Sequence, residues 1–286
     1  MYGPSLFGGL AFLIIGISCP PVYARIVYLF LARPSFNKME SYRIMGQIGI
    51  VQLLLTPAAL TIGASHLSPY DIWQCTLYPR QLFSMAMRVE APLNFVLALN
   101  RVQVICNLKY SSMGLLALCY TYGAIFLFML NSPWCGIIVE TWVSYFDPSK
   151  PLSALVGKVA LMISMGSMWA CFTGYVIVLL YLIKKGRSIT KRNNFQAERT
   201  IFLYAVIHFA CDMFLVVGLY YITLPGESWI TILMSVCYLL NYLVLPPVLY
   251  MAMYPSVRQE FFRFSKTEVV FVQTVTNAHL TMKSKQ

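Results

Sequence analysis

The chain has 286 residues, of which 59% are hydrophobic and only 11% charged, and it carries a formal net charge of +11. A soluble domain of this length carries about a quarter charged residues and somewhat under half apolar ones, so the composition points to lipid as the solvent. The basic residues sit in short connections between apolar runs and form no continuous stripe, which argues against a nucleic-acid partner.

A helix needs about 20 predominantly apolar residues to cross roughly 30 Å of hydrocarbon. Seven segments qualify: Leu6–Leu31, Ile44–Leu67, Leu77–Arg101, Ser112–Leu130, Ala154–Ile183, Thr200–Leu224 and Trp229–Met253. The first is too long for a cleavable signal and has basic residues after it, so it reads as an uncleaved signal-anchor. The third is the least clean, with Arg80, Arg88 and Glu90 within or near it, and the fifth carries Lys158 where it can snorkel outward. No connection rich in Gly, Ser or charge divides the chain. The predicted architecture is therefore an all-α membrane protein, a seven-transmembrane helix bundle over residues 1–266 with a cytoplasmic tail over 267–286.

Charge sets the orientation. With the N-terminus outside, 17 of the 21 Lys and Arg fall on the cytoplasmic side, including Arg25, Arg43, Arg101 and the Lys184–Arg199 connection. That positive-inside bias accounts for the net charge. Past the seventh span, Pro255 to Phe264 alternates apolar and basic residues at helical spacing. It reads either as a short amphipathic helix on the inner leaflet, with Phe261, Phe262 and Phe264 down, or as the frayed end of the seventh helix.

Several constellations carry possible chemistry. Cys75 opens the third span and Cys135 lies just past the fourth, both on the oxidising side, as a disulfide or as two unpaired thiols. From Cys75 to Arg101 is 26 residues, about 39 Å of helix, so one helix joins an outer cysteine to an inner Asn100-Arg101 pair. Spacing alone leaves Arg101 either a positive-inside anchor or a switch. Pro246-Pro247, with Asn241 upstream and Tyr250 a turn beyond, marks either a hinge with a polar latch or a plain kink. Arg88, Glu90 and Asp212 lie deep in spans, where a charge faces a bundle interior or a wet cavity. Arg88 and Glu90, two residues apart, point to nearly opposite faces, so they are not expected to line one pocket in the same way. Either Arg88 is expected to pair with Asp212 across the bundle, as an internal salt bridge, or one of the two is expected to bind a polar group of a ligand. The histidines (His66, His208, His279) lie in separate segments with no metal-ligand spacing, and His208 reads as a core histidine. With no phosphate loop, nucleophile elbow or zinc-type cysteine pair, neither catalysis nor a cofactor or metal is expected.

With seven spans, an outer N-terminus, two outer cysteines and Asn100-Arg101 closing the third helix, the chain resembles rhodopsin-like G-protein-coupled receptors. More narrowly, it resembles the nematode serpentine chemoreceptors, class T and its class X relatives. The stretches that carry this are Tyr42-Arg43-Ile44-Met45 with Gly46-Gln47-Ile48-Gly49-Ile50, Cys75-Thr76-Leu77-Tyr78-Pro79, Leu97-Ala98-Leu99-Asn100-Arg101, and Tyr250 with Tyr254-Pro255-Ser256-Val257-Arg258. The resemblance implies a sensory receptor in the plasma membrane or a cilium, a small environmental molecule as ligand, a heterotrimeric G protein as partner, and Arg101 as the intracellular switch. It is incomplete: Gln52 lies where many relatives carry Asp, the sixth span has no Trp-x-Pro, Pro246-Pro247 replaces Asn-Pro, and Arg88 falls where class T chains carry an aromatic. A small transporter would show inverted repeats or paired broken helices, which are not seen. An odorant channel would place the N-terminus inside, against the charge distribution.

Overall fold

A computed structural model describes residues 3–67, 76–106, 112–139, 144–186, 203–204, 206–215 and 229–263. In chain order its elements are α1 (Gly3–Ala32), α2 (Pro34–Asn37), α3 (Glu40–Leu53), α4 (Thr56–Leu67), α5 (Leu77–Cys106) and α6 (Ser112–Leu130). The hairpin β1 (Ile137–Val139) and β2 (Ser144–Phe146) follows, then α7 (Ser153–Gly186) and α8 (Val206–Leu215). The chain continues through α9 (Trp229–Leu239), a π-helical turn over Leu240–Val244, α10 (Leu245–Met253) and α11 (Pro255–Phe262). Six spans are long and apolar enough to cross a bilayer, and α8 is the described part of the sixth expected one. The fold is a seven-helix membrane bundle. Of the expected tail, residues 267–286 lie outside the described residues.

Its outside and inside are reversed relative to a water-soluble protein. Phe7, Phe128, Met162, Trp169 and Phe214 face outward, each at least 64% exposed, while Gln52, Glu90, Asn100, Arg101, His208, Asp212 and Asn241 are buried. Lipid solvates the former, and only neighbouring helices can satisfy the latter.

The second span is one helix by hydropathy and two by geometry. Pro57 has no N–H for the Leu53 carbonyl, so the ladder breaks at Leu54-Leu55. The Leu55 amide bonds back to Gln52 (3.1 Å), and α-spacing resumes at Ala59 to Leu55 (3.0 Å). The break falls just past Gln52. In the seventh span the π turn lies immediately before Pro246-Pro247. The two prolines leave carbonyls one turn back without donors, and the wide turn re-registers the ladder.

Close approach of α1 and α4 depends on two glycines. A Cβ on Gly63 would stand 2.9 Å from the Gly9 carbonyl oxygen and 3.0 Å from the Leu13 amide nitrogen, neither of which can rotate away. Small residues of this kind let transmembrane backbones meet. Gly63→Ala is expected to push the helices apart and cost about 1–3 kcal/mol, as overpacking does. A thermal unfolding midpoint in detergent equal to that of the parent would contradict it.

At one end, β1 and β2 pair antiparallel (Ile137 with Phe146, Val139 with Ser144), and Phe146 meets Phe126 of α6 edge-on at 6.4 Å. The Asp147 carboxyl beyond the hairpin accepts the Ser149 hydroxyl (2.6 Å) and amide (2.9 Å), which hold it below the usual carboxylate range. At the other end α11 is a defined helix, and its inward residues are Val257 and Phe261 while Phe262 is 65% exposed. The expected common downward face of Phe261 and Phe262 is thus divided between bundle and surroundings, because adjacent helical residues point about 100° apart. Phe264 lies outside the described residues. Arg25 Nε (2.9 Å) and Nη2 (2.6 Å) both donate to the Phe261 carbonyl, and its guanidinium lies 5.1 Å from the centre of the Phe261 ring. A cation placed on the last carbonyls of a helix satisfies orphan acceptors and suits the helix dipole.

Candidate functional site

The bundle encloses a cavity of about 300 Å³, at the lower end of the range for small-molecule sites. It lies toward the hairpin end, where Ser144 borders it. Phe83 and Met87 of α5, Met165 and Met168 of α7, Phe209 of α8 and Tyr238 of α9 give it apolar walls. Its polar atoms come from Arg80, Ser84, Arg88, Glu90, Asn94, Ser164 and Asp212 among others. Arg88 and Glu90 both border it, though not from the same side. At 100° per residue they are 200° apart one way and 160° the other, so each sits at one margin of a wide α5 face whose centre runs through Arg80, Ser84, Met87 and Ala91.

A polar network shares the cavity's Glu90 and Asp212. The Tyr23 hydroxyl donates to Gln52 Oε1, and Gln52 Nε2 donates to Glu90 Oε1. His208 Nε2 lies 3.9 Å from Glu90 Oε1, and His208 Nδ1 lies 3.1 Å from Asp212 Oδ2. Asn241 Nδ2 donates to Asp212 Oδ1 at 2.5 Å. The chain of contacts joins α1, α3, α5, α8 and the π turn, and so touches the first, second, third, sixth and seventh spans. Glu90 is 2% exposed, His208 4% and Asp212 6%.

One sequence expectation is corrected here. Asp212 is paired with His208 and Asn241, and Arg88 forms no salt bridge with it among the described residues. A charge one turn away on the same helix reaches Asp212 without ordering a long side chain across the bundle. His208 is buried and partnered, as a satisfied core histidine is, and Glu90, His208 and Asp212 together bring three potential ligand atoms within 4.8 Å of one another. The spacing His208–Asp212, i to i+4, was the available signal. Gln52 and Tyr23 had none, since their roles depend on how α1 and α3 are rotated.

An aromatic cluster continues from the network to the α11 end. Tyr204 stacks on His208 (6.0 Å) and on Tyr250 (4.8 Å), and its hydroxyl bonds that of Tyr250 at 2.9 Å. Tyr250 is fully buried and packs edge-on against Phe30 at 5.1 Å, while Tyr254 meets Tyr42 at 6.0 Å. Arg101 is 6% exposed, within electrostatic reach of Tyr42, Tyr175 and Tyr254. The helix α5 continues past it to Cys106. Asn100, 1% exposed, accepts from Ser41 Oγ (2.8 Å) and donates to Glu40 Oε2 (3.0 Å), fastening α5 to the start of α3. Asn241 sits in the π turn and Pro247 is buried in the first turn of α10. Cys135 is buried and has no disulfide partner among the described residues, and Cys75 lies outside them.

The sequence matches no family model and no curated protein. The architecture is shared with solved structures. The crystal structure of squid rhodopsin superposes with a TM-score of 0.73 at 11% identity, over 91% of this chain and 80% of that one. At that identity the likeness is one of fold.

Proposed function

We propose that the chain is a chemosensory G-protein-coupled receptor, of the nematode serpentine type that its motifs resemble, and that it binds a small molecule in the cavity. The carrying observation is that Glu90 and Asp212 belong at once to the cavity wall and to the network joining five spans. A ligand that alters the contacts of either carboxyl therefore bears on the relative positions of α3, α5, α8 and the seventh span. It shifts the equilibrium only by its differential affinity for the two arrangements. The basic distribution supports an outer N-terminus, which makes the hairpin end extracellular and the α11 end, with Asn100 and Arg101, cytoplasmic. Motion of α8 relative to α5 then breaks the Tyr204–Tyr250 stack and uncovers Arg101 to a heterotrimeric G protein. Asn241, Pro247 and Tyr250 form the seventh-span part of that switch, and a Cys75–Cys135 bridge tethers the extracellular loop.

Nucleotide exchange by a heterotrimeric G protein, measured with the receptor in lipid nanodiscs, tests the assignment. Exchange above the empty-disc rate that falls at least tenfold in Arg101→Ala, with the variant still folded, is the expected result. Exchange equal to empty discs, or untouched by Arg101→Ala, overturns it. In whole cells, an N-terminal epitope should be reached without permeabilisation, and one within Lys184–Arg199 only after it.

A further inference from the structure

The cavity wall holds a cation for which the described residues provide no counterion. Arg88 is partly buried, borders the cavity, and makes no hydrogen bond or ion pair with any described residue. The two carboxyls that share the cavity are already engaged, Glu90 by Gln52 and His208, Asp212 by His208 and Asn241. A guanidinium facing apolar side chains inside a bilayer is costly unless an anion joins it.

A second observation points to the same ligand group. Thr56 and Ser112 aside, whose hydroxyls have no partner among the described residues, several hydroxyls in the spans fold back onto their own helix: Ser18 onto the Ile14 carbonyl, Thr121 onto Ala117, Thr173 onto Trp169 and Ser235 onto Thr231. That is the usual way a serine or threonine is satisfied in lipid. Ser164 of α7 departs from it. Its hydroxyl oxygen is buried, lines the cavity, and has no partner among the described residues. Arg88 and Ser164 thus offer a cationic fork and a neutral donor to one enclosed space.

We infer that the ligand is a small organic monocarboxylate with an apolar body, held by its carboxylate at Arg88 with Ser164 as the accessory donor. The inference rests on the receptor reading for its consequence, though not for its chemistry. A carboxylate matches the guanidinium fork through two parallel hydrogen bonds. Its single charge balances Arg88, which has no counterion among the described residues, whereas a dianionic phosphate would add a second negative charge beside Glu90 and Asp212. The methionine and phenylalanine walls take the apolar body without specifying its shape, since thioether side chains repack readily.

The test uses the purified full chain in nanodiscs with three acids as probes, cyclohexanecarboxylate, 3-phenylpropanoate and octanoate, each beside the alcohol and amine of the same skeleton. At least one acid is expected to raise the thermal unfolding midpoint where its alcohol and amine do not. In Arg88→Gln the half-saturating concentration should rise at least tenfold, and in Ser164→Ala severalfold. Arg88→Lys keeps the charge without the fork and should fall between parent and Gln, which keeps the result readable if the Gln variant folds poorly. Alcohols acting as well as acids, an acid effect unchanged in both Arg88 variants, or no effect of any acid overturns the inference. Arg101-dependent exchange is scored separately. If it persists without an acid preference, only the carboxylate assignment fails; an acid preference without exchange sinks the receptor reading and leaves the binding site standing.

Discussion

Asp212→Ala is expected to cost the folded chain about 3–5 kcal/mol, the largest effect of any single substitution in the network. The loss does not come from the Asn241 hydrogen bond as such, since interhelical hydrogen bonds inside membranes average about 0.6 kcal/mol. It comes from what is left behind. His208 Nδ1 loses its acceptor at 3.1 Å, Asn241 Nδ2 loses its acceptor at 2.5 Å, and both residues are at least 95% buried. Asp212→Asn retains an acceptor and should fall between parent and Ala. The double variant Asp212→Ala with His208→Leu removes the stranded imidazole as well and should regain much of the lost stability, because coupled neighbours are not additive. The measurement is the unfolding midpoint of a fluorescent fusion followed by size exclusion. A double variant no more stable than Asp212→Ala would show that the imidazole–carboxyl contact contributes little.

The coupling explains why these positions were only partly legible in the sequence. Seven spans, their order and the helix after the seventh could be read because each follows from hydropathy and local residue types, which depend on the chain within a turn or two. The second-span break also had a local signal in Thr56-Pro57, yet a window of 20 residues averages over it. Partners were another matter. Arg88 and Asp212 were natural candidates by charge, but whether two helices present those side chains to each other depends on the rotation of each about its axis. Neither composition nor spacing fixes that angle. The same reason hides the Arg25–Phe261 contact, which spans 236 positions, and the place of Tyr23 beside Gln52. His208 reads as a core histidine from its apolar run, and Asp212 one turn on is the clue that it has a partner on its own helix.

The second large effect is expected at Asn100, and it is one of activity. Its side-chain amide accepts from Ser41 and donates to Glu40, so a single 1%-exposed residue fastens the α11 end of α5 to the first turn of α3. Asn100→Leu preserves much of the volume and leaves a hydroxyl and a carboxylate without their partner, a penalty of about 1–3 kcal/mol. If those contacts belong to the closed arrangement alone, the open one gains by that amount. Basal nucleotide exchange should then rise about five- to a hundredfold until the open state saturates. Asn100→Asp sets a carboxylate against Glu40 and should act in the same direction, with Ser41 still donating. Ser41→Ala removes one contact of the two and should give the smallest rise. The neighbouring Arg101→Ala must do the opposite and silence exchange even when combined with Asn100→Leu, because release of the clamp is of use only if the residue it uncovers is present. Exchange in Asn100→Leu at or below the parent level, in a variant that still folds, would mean that the clamp is common to both arrangements. Asn100 would then hold the bundle together without biasing it.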